Sequence, residues 1–101
     1  MSGPQKHFPS LRRASQGRPC AHCGREDGTT VRAHYTGFRQ HAFGKGFGTK
    51  GHDLAAADLC HECHAWFDDP EMKIDIDKSE KFLFVIVKTL IKDLEEGIIK
   101  I

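Results

Sequence analysis

The residues best placed to do chemistry begin with four cysteines in two Cys-x-x-Cys pairs, Cys20-Ala21-His22-Cys23 and Cys60-His61-Glu62-Cys63. Two thiolates at this spacing on a tight knuckle reach one ion at about 2.3 Å, and two such pairs complete a tetrahedron. Four sulfurs leave no open coordination position, so the pattern predicts a structural Zn²⁺ and not a catalytic one. Gly24 suits the first knuckle, whose turn needs a permissive backbone. Disulfides or a redox pair would use the same residues. No charged segment followed by an apolar one opens the sequence as a secretory signal would, so a cytoplasmic, reducing setting is expected, which disfavours disulfides.

A second group lies just beyond. If Cys60 to Phe67 is helical, His64 and Asp68 stand four residues apart on one face and can share a divalent ion distinct from the zinc. Alternatively, His64 braces the cysteine site and Asp68 is a helix-terminal acid. A third candidate is His34, whose neutral imidazole near pH 7 suits proton removal from water.

These residues need elements to hold them. Thr29 to Tyr35 is β-branched and alternating, which predicts a strand bearing His34. Gly37 to Gly51 follows, rich in glycine, phenylalanine and basic residues, and too long for a mere connector. Its GxGxxG match, Gly46 to Gly51, lacks the surrounding strand–loop–helix unit of a dinucleotide site. Asp53 to Asp58 leads into the second knuckle, and Asp69-Pro70 ends the helix after it. Residues 1–9 read as a flexible arm, and 10–101 as one domain. Ser10 to Gln16 reads as a short helix capped by Ser10 and stopped by Gly17. Ile74 to Asp77 reads as a short strand or extended linker. Ser79 to Glu96 is the clearest helix, capped by Ser79 and stopped by Gly97. Its Phe82, Leu83, Val85, Ile86, Leu90, Ile91 and Leu94 recur at helical spacing and predict a core face.

The chain has 101 residues, 39% hydrophobic and 29% charged, the composition of a globular domain and too apolar for a disordered one. Its longest apolar run, Phe82 to Val87, is far short of the about 20 residues a membrane helix needs. The net charge of +1 conceals an asymmetry. Residues 1–52 carry nine Lys/Arg against two Asp/Glu, and residues 53–101 carry six against twelve. All the arginines fall in the first half. That imbalance points to a basic face for a polyanion, nucleic acid above all.

A histidine-bearing strand, a long loop, a return strand and a helix reading Leu-Cys-x-x-Cys-His together resemble the HNH nucleases. Ala33-His34-Tyr35 stands for the first segment, and Leu59-Cys60-His61-Glu62-Cys63-His64 for the last. The sequence is more closely similar to the small prophage-encoded nucleases of the YbcO-like family. That likeness rests on Leu11-Arg12-Arg13-Ala14, Gly17-Arg18-Pro19-Cys20, Ala33-His34, Thr36-Gly37, Gly48-Thr49-Lys50, Asp53-Leu54, Cys60-x-x-Cys63-His64, Asp68 and the ending Leu94-x-Glu96-Gly97-Ile98-Ile99-Lys100. It spans about residues 10–100.

The resemblance implies an α+β fold: a small zinc-stapled ββα-metal domain with an added C-terminal helix. It implies metal-dependent hydrolysis of nucleic-acid phosphodiesters, DNA foremost, by a phage-encoded or bacterial protein. Carried over residue by residue, His34 is the general base and His64 a ligand of the catalytic Mg²⁺ or Mn²⁺, with Asp68 or Asp53 beside it. The sequence departs from the pattern at Ala33, where the family often has an acid or histidine. It departs again at Asp68, in place of a final histidine, and at Ala55, in place of the middle asparagine. Arg32, Arg39, His41, Lys45 and Lys50 are the expected phosphate contacts. Phe38, Phe43 and Phe47 either stack on bases or tuck the loop onto the core. The alternative is a non-catalytic zinc-stabilised nucleic-acid-binding module, or a protein-interaction zinc domain using the acidic half. Neither would need a divalent metal for activity.

Overall fold

A computed structural model describes residues 7–37, 40–44, 51–69 and 76–100. Along the chain run helix α1 (Pro9–Ser15), strand β1 (Val31–His34), a 3-10 turn (Gln40–Phe43), strand β2 (Ala56–Leu59), helix α2 (His61–Asp68) and helix α3 (Ile76–Glu95). The two strands pair antiparallel, Val31 opposite Leu59 and His34 opposite Ala56. The result is a small α+β domain: a two-stranded sheet, three helices and a cluster of four cysteines. Among the described residues no helix is long and apolar enough to cross a membrane.

All four residues of β2 are buried, and α3 packs across it. Three of the four are small or apolar, so a helix can approach this strand closely. The core gathers around Tyr35, Leu59, Phe67, Phe82, Val85 and Ile86. Phe82 of α3 is its centre, with ring centroids 4.5 Å from Phe67 and 5.4 Å from Tyr35. Gly37 is dictated by the same packing, because a Cβ there would strike the Tyr35 ring and hydroxyl.

The helix ends differ from the sequence expectations in instructive ways. Helix α1 begins at Pro9, with Phe8 and not Ser10 in the N-cap position. Proline at the first helical position has its φ already set and needs no N–H partner there. Helix α3 begins at Ile76, so Ile76 and Asp77 are helical, neither strand nor linker. Residues 74 and 75 lie outside the described set. Ser79 is buried inside the helix and does not cap it. At the other end the expectation holds. Gly97 has φ +75°, the Ile98 N–H donates to the Asp93 carbonyl at 2.8 Å, and the Gly97 N–H to Leu94 at 3.1 Å. This pattern closes a helix through a left-handed glycine. The core face is narrower than the periodicity suggested: Ile91 and Leu94 are exposed.

Behind the sheet lies a buried ionic network. Asp93 of α3 accepts from Arg18 Nη1 at 2.8 Å through Oδ1 and from Arg32 Nη2 at 2.9 Å through Oδ2. Arg18 also reaches Asp58 Oδ2 at 3.1 Å and Glu96 at 2.7 Å. Arg32 Nε donates to the Asp53 carbonyl at 2.6 Å. The predicted role of Arg32 as a phosphate contact is therefore corrected: its side chain is fully buried. The charge asymmetry along the sequence is partly an instruction for internal pairing, since Arg18 and Arg32 of the basic half meet Asp58 and Asp93 of the acidic half.

Removing one partner from a buried ion pair leaves an uncompensated charge, at a cost of about 3–5 kcal/mol. Asp93→Ala strands the buried Arg32 guanidinium and takes from Arg18 one of its three carboxylates, and is expected to cause a loss in that range, read as a fall in the urea midpoint. A loss below about 1 kcal/mol, the scale of a surface pair, would refute a hub role for Asp93.

Candidate functional site

The first knuckle is built by the backbone. The Cys20 N–H donates to the Arg25 carbonyl at 2.9 Å, the Gly24 N–H returns to Cys20 at 2.9 Å, and Gly24 has φ +81°. The Ala21 N–H bonds to the Asp58 carbonyl at 2.8 Å, seating the knuckle on β2. The second pair sits at the head of α2, where Cys60 is the N-cap and Cys63 lies in the first turn. One ligand atom from each of Cys20, Cys23, Cys60 and Cys63 falls within 4.8 Å of all the others. The Cys23 and Cys60 sulfurs are 3.7 Å apart. Sulfurs about 2.3 Å from a tetrahedral ion stand about 3.8 Å from one another. The four could therefore hold one zinc ion.

Electrostatics argue for a cation as well. Burial works against a thiolate at Cys20, but N–H groups of Cys23, Cys60 and His22 outweigh it and bring the thiol down to about 7. Burial and the three neighbouring sulfurs push Cys63 strongly upward. Cys20 is thus eased toward the thiolate while Cys63 is held from it, a conflict that a bound cation would remove. His22 closes the cluster on one side, with Nδ1 3.3 Å from Cys63 Sγ and its ring stacked on Trp66 at 5.8 Å. Burial, with Lys81 and Lys88 nearby, lowers its basicity.

On α2 the pair expected from spacing forms: His64 Nε2 lies 2.9 Å from Asp68 Oδ2. Both side chains are more than a third exposed. The Thr36 hydroxyl, just past β1, donates to Asp68 Oδ1 at 2.7 Å and ties the end of α2 to the strand that bears His34.

Asp53 does not join that pair. It stands against His34, whose Nε2 is 2.7 Å from Asp53 Oδ1. Asp53 is fully buried, receives the Phe8 N–H at 2.6 Å on Oδ2, and has Arg12 Nε at 3.5 Å. Burial pushes its carboxyl up, but the Phe8 N–H, His34 and Arg12 outweigh it and hold the group below its ordinary range. Of the two carboxylates expected near His64, Asp68 is the one that stands beside it, and Asp53 stands beside His34.

His7 is the residue that sequence reasoning missed. It belongs to a stretch read as arm, yet its Nδ1 lies 3.6 Å from Asp53 Oδ1. His7, His34 and Asp53 bring three ligand atoms within 4.8 Å of one another and could themselves hold a cation. Only the residue type could have signalled this, because nothing local says where the segment docks. His41 is exposed on the 3-10 turn. Arg39, Lys45 and Lys50, the other expected phosphate contacts, lie outside the described residues, as do Phe38 and Phe47. Phe43 leans its ring edge-on against Tyr35 at 5.7 Å but stays exposed.

No protein-family model and no curated protein matches this chain. Among solved structures it is similar to a provisionally identified bacteriophage protein from Escherichia coli K-12. The two share 26% identity with a TM-score of 0.61, and the match covers 87% of this chain and 100% of the other. The likeness therefore extends over the whole of that phage protein.

Two outcomes follow. Atomic emission should find one zinc per chain. Cys60→Ser should lose that zinc and with it much of the stability, because structural zinc binding is folding free energy. An unchanged thermal midpoint after complete chelation would contradict this. Asp53, held low when folded, stabilises the protein above its unfolded pKa of about 4. That contribution disappears as pH falls through the lowered folded value. Asp53→Asn should accordingly flatten the acid side of the stability–pH curve; an acid side as steep as wild type would count against it.

Proposed function

We propose that this chain is a metal-dependent endonuclease of the HNH, ββα-metal type that hydrolyses nucleic-acid phosphodiester bonds, DNA foremost. The observation that carries this reading is His34 on β1 bonded to the buried, ionised Asp53, in the same strand-and-helix frame as the accessible His64–Asp68 pair. A carboxylate held low accepts the Nε2–H of His34 and fixes the orientation of the ring. His34 is the group that takes the proton of the attacking water. Asp53 keeps the ring oriented and stabilises the imidazolium that forms, the service a buried carboxylate gives a basic histidine in hydrolases.

His64 and Asp68 offer one imidazole nitrogen and one carboxylate oxygen within reach of solvent, and a carboxylate with water to complete the shell is what Mg²⁺ or Mn²⁺ accepts. Such an ion, when bound, supplies Lewis-acid stabilisation of the charge that develops on the phosphate. The thiolate cluster prefers Zn²⁺ and has a structural task, fixing the head of α2 and so the position of His64. Exposed Arg12 and His41 are available to backbone phosphates. The phage assignment of the structural neighbour supports a phage or prophage origin.

Plasmid nicking in Mg²⁺ or Mn²⁺ tests the reading, with folding and zinc content matched among proteins. The wild type should cut. His34→Ala should be slower by about 10²–10⁴-fold, the usual worth of a general base, and His64→Ala should lose the response to added metal. Failure to cut plasmid, single strands or junctions, together with salt-sensitive binding, would make the chain a zinc-stabilised binding module instead.

A further inference from the structure

Helix α3 is apolar on two opposite sides. Phe82, Val85 and Ile86 point into the core. At about 100° per residue, Phe84, Val87, Ile91 and Leu94 fall about half a turn away from that buried row. Their exposures are 59%, 54%, 52% and 45%. A helix that is apolar all round is normally covered all round. The outward residues are spaced three, four and three apart, the a and d positions of a helix–helix seam. The stripe also merges with a hollow of about 610 Å³ whose walls include Phe43, Leu54, Leu83, Val87 and Leu90. Single exposed apolar residues are ordinary, but a contiguous patch rimmed by charge marks an association surface.

We propose that a second copy of this chain covers the stripe, with the two α3 helices packed antiparallel about a two-fold axis. The flanking charges select both the partner and the direction. On one flank stand Lys81 and Lys88, then Glu95; on the other stand Leu83 and Leu90. Antiparallel pairing sets Lys81 of each copy against the partner's Glu95, twice by symmetry, and brings Leu90 to the partner's Leu90. Parallel pairing would instead bury the lysine flank against the leucine flank. Lys88 falls nearest the axis; its Nζ is held within its own chain, donating to the Ala21 carbonyl at 2.9 Å and lying 5.8 Å over the Phe84 ring at the edge of the seam. None of these residues belongs to the His34 or His64 sites, so the proposal does not rest on the nuclease reading.

Sedimentation equilibrium of the zinc-loaded chain, from low micromolar to a few hundred micromolar, tests it. The expected mass approaches twice 11.4 kDa as concentration rises. Ile91→Glu, at an exposed position, should leave a monomer with unchanged circular dichroism and zinc content. Lys81→Glu should weaken the dimer several-fold, and Lys81→Glu with Glu95→Lys should restore it, a repair that a folding defect would not show. A monomer throughout the range, a dimer indifferent to Ile91→Glu, or a Lys81→Glu loss that the second change fails to repair would each overturn the proposal.

Discussion

The carboxylate of Asp93 is the constraint on which most of this small domain depends. One side chain near the end of α3 holds Arg18 from the segment after α1 and Arg32 from β1, and the Asp93 carbonyl receives the two N–H groups that finish the helix. Three parts of the chain are thus fixed relative to one residue. In a low-dielectric interior each of these charges would be costly alone, and pairing them offsets that cost. Arg32 then passes the constraint on, because its Nε holds the backbone of Asp53, whose carboxylate holds His34. A chain of bonds runs unbroken from the end of α3 to the proposed base.

The cysteine cluster does for α2 what Asp93 does for the sheet. It joins a loop near the start of the chain to the head of a helix forty residues later, in a domain too small for its core to hold every element firmly. The cysteine sulfurs gather against the first knuckle, while His64 and Asp68, on the same helix, are more than a third exposed. Thr36 braces the far end of the same helix against the strand that carries His34.

Local chemistry was legible in the sequence, and distant pairing was not. The cysteine spacing announced the cluster, the i,i+4 relation announced His64–Asp68, and Gly97 announced the end of α3. Each of these depends on residues that are near neighbours or share one repeated motif. Asp93 looked like one acid among many, because the partners that make it a hub lie 75 and 61 residues away. Arg32 was read as surface for the same reason: its type says charged, and only the fold says with whom. Ser79 carried a genuine capping preference, but burial of α3 against the sheet overrode it and the helix ran one turn further back. His7 shows the limit most clearly, for its docking on Asp53 is decided by where α1 lies and by nothing in the local sequence.

Cys63 and His64 are consecutive residues on α2. That adjacency makes the ring's configurational entropy a property of the cysteine cluster. With the thiolates gathered on one ion, the first helical turn has a single arrangement and the imidazole inherits it. With the thiols protonated and apart, the same ring samples a wider volume, and any contact it makes must first repay that freedom. The supply of a metal to the cysteines would therefore govern how precisely the neighbouring imidazole is held, though the ring and the ion share no atom.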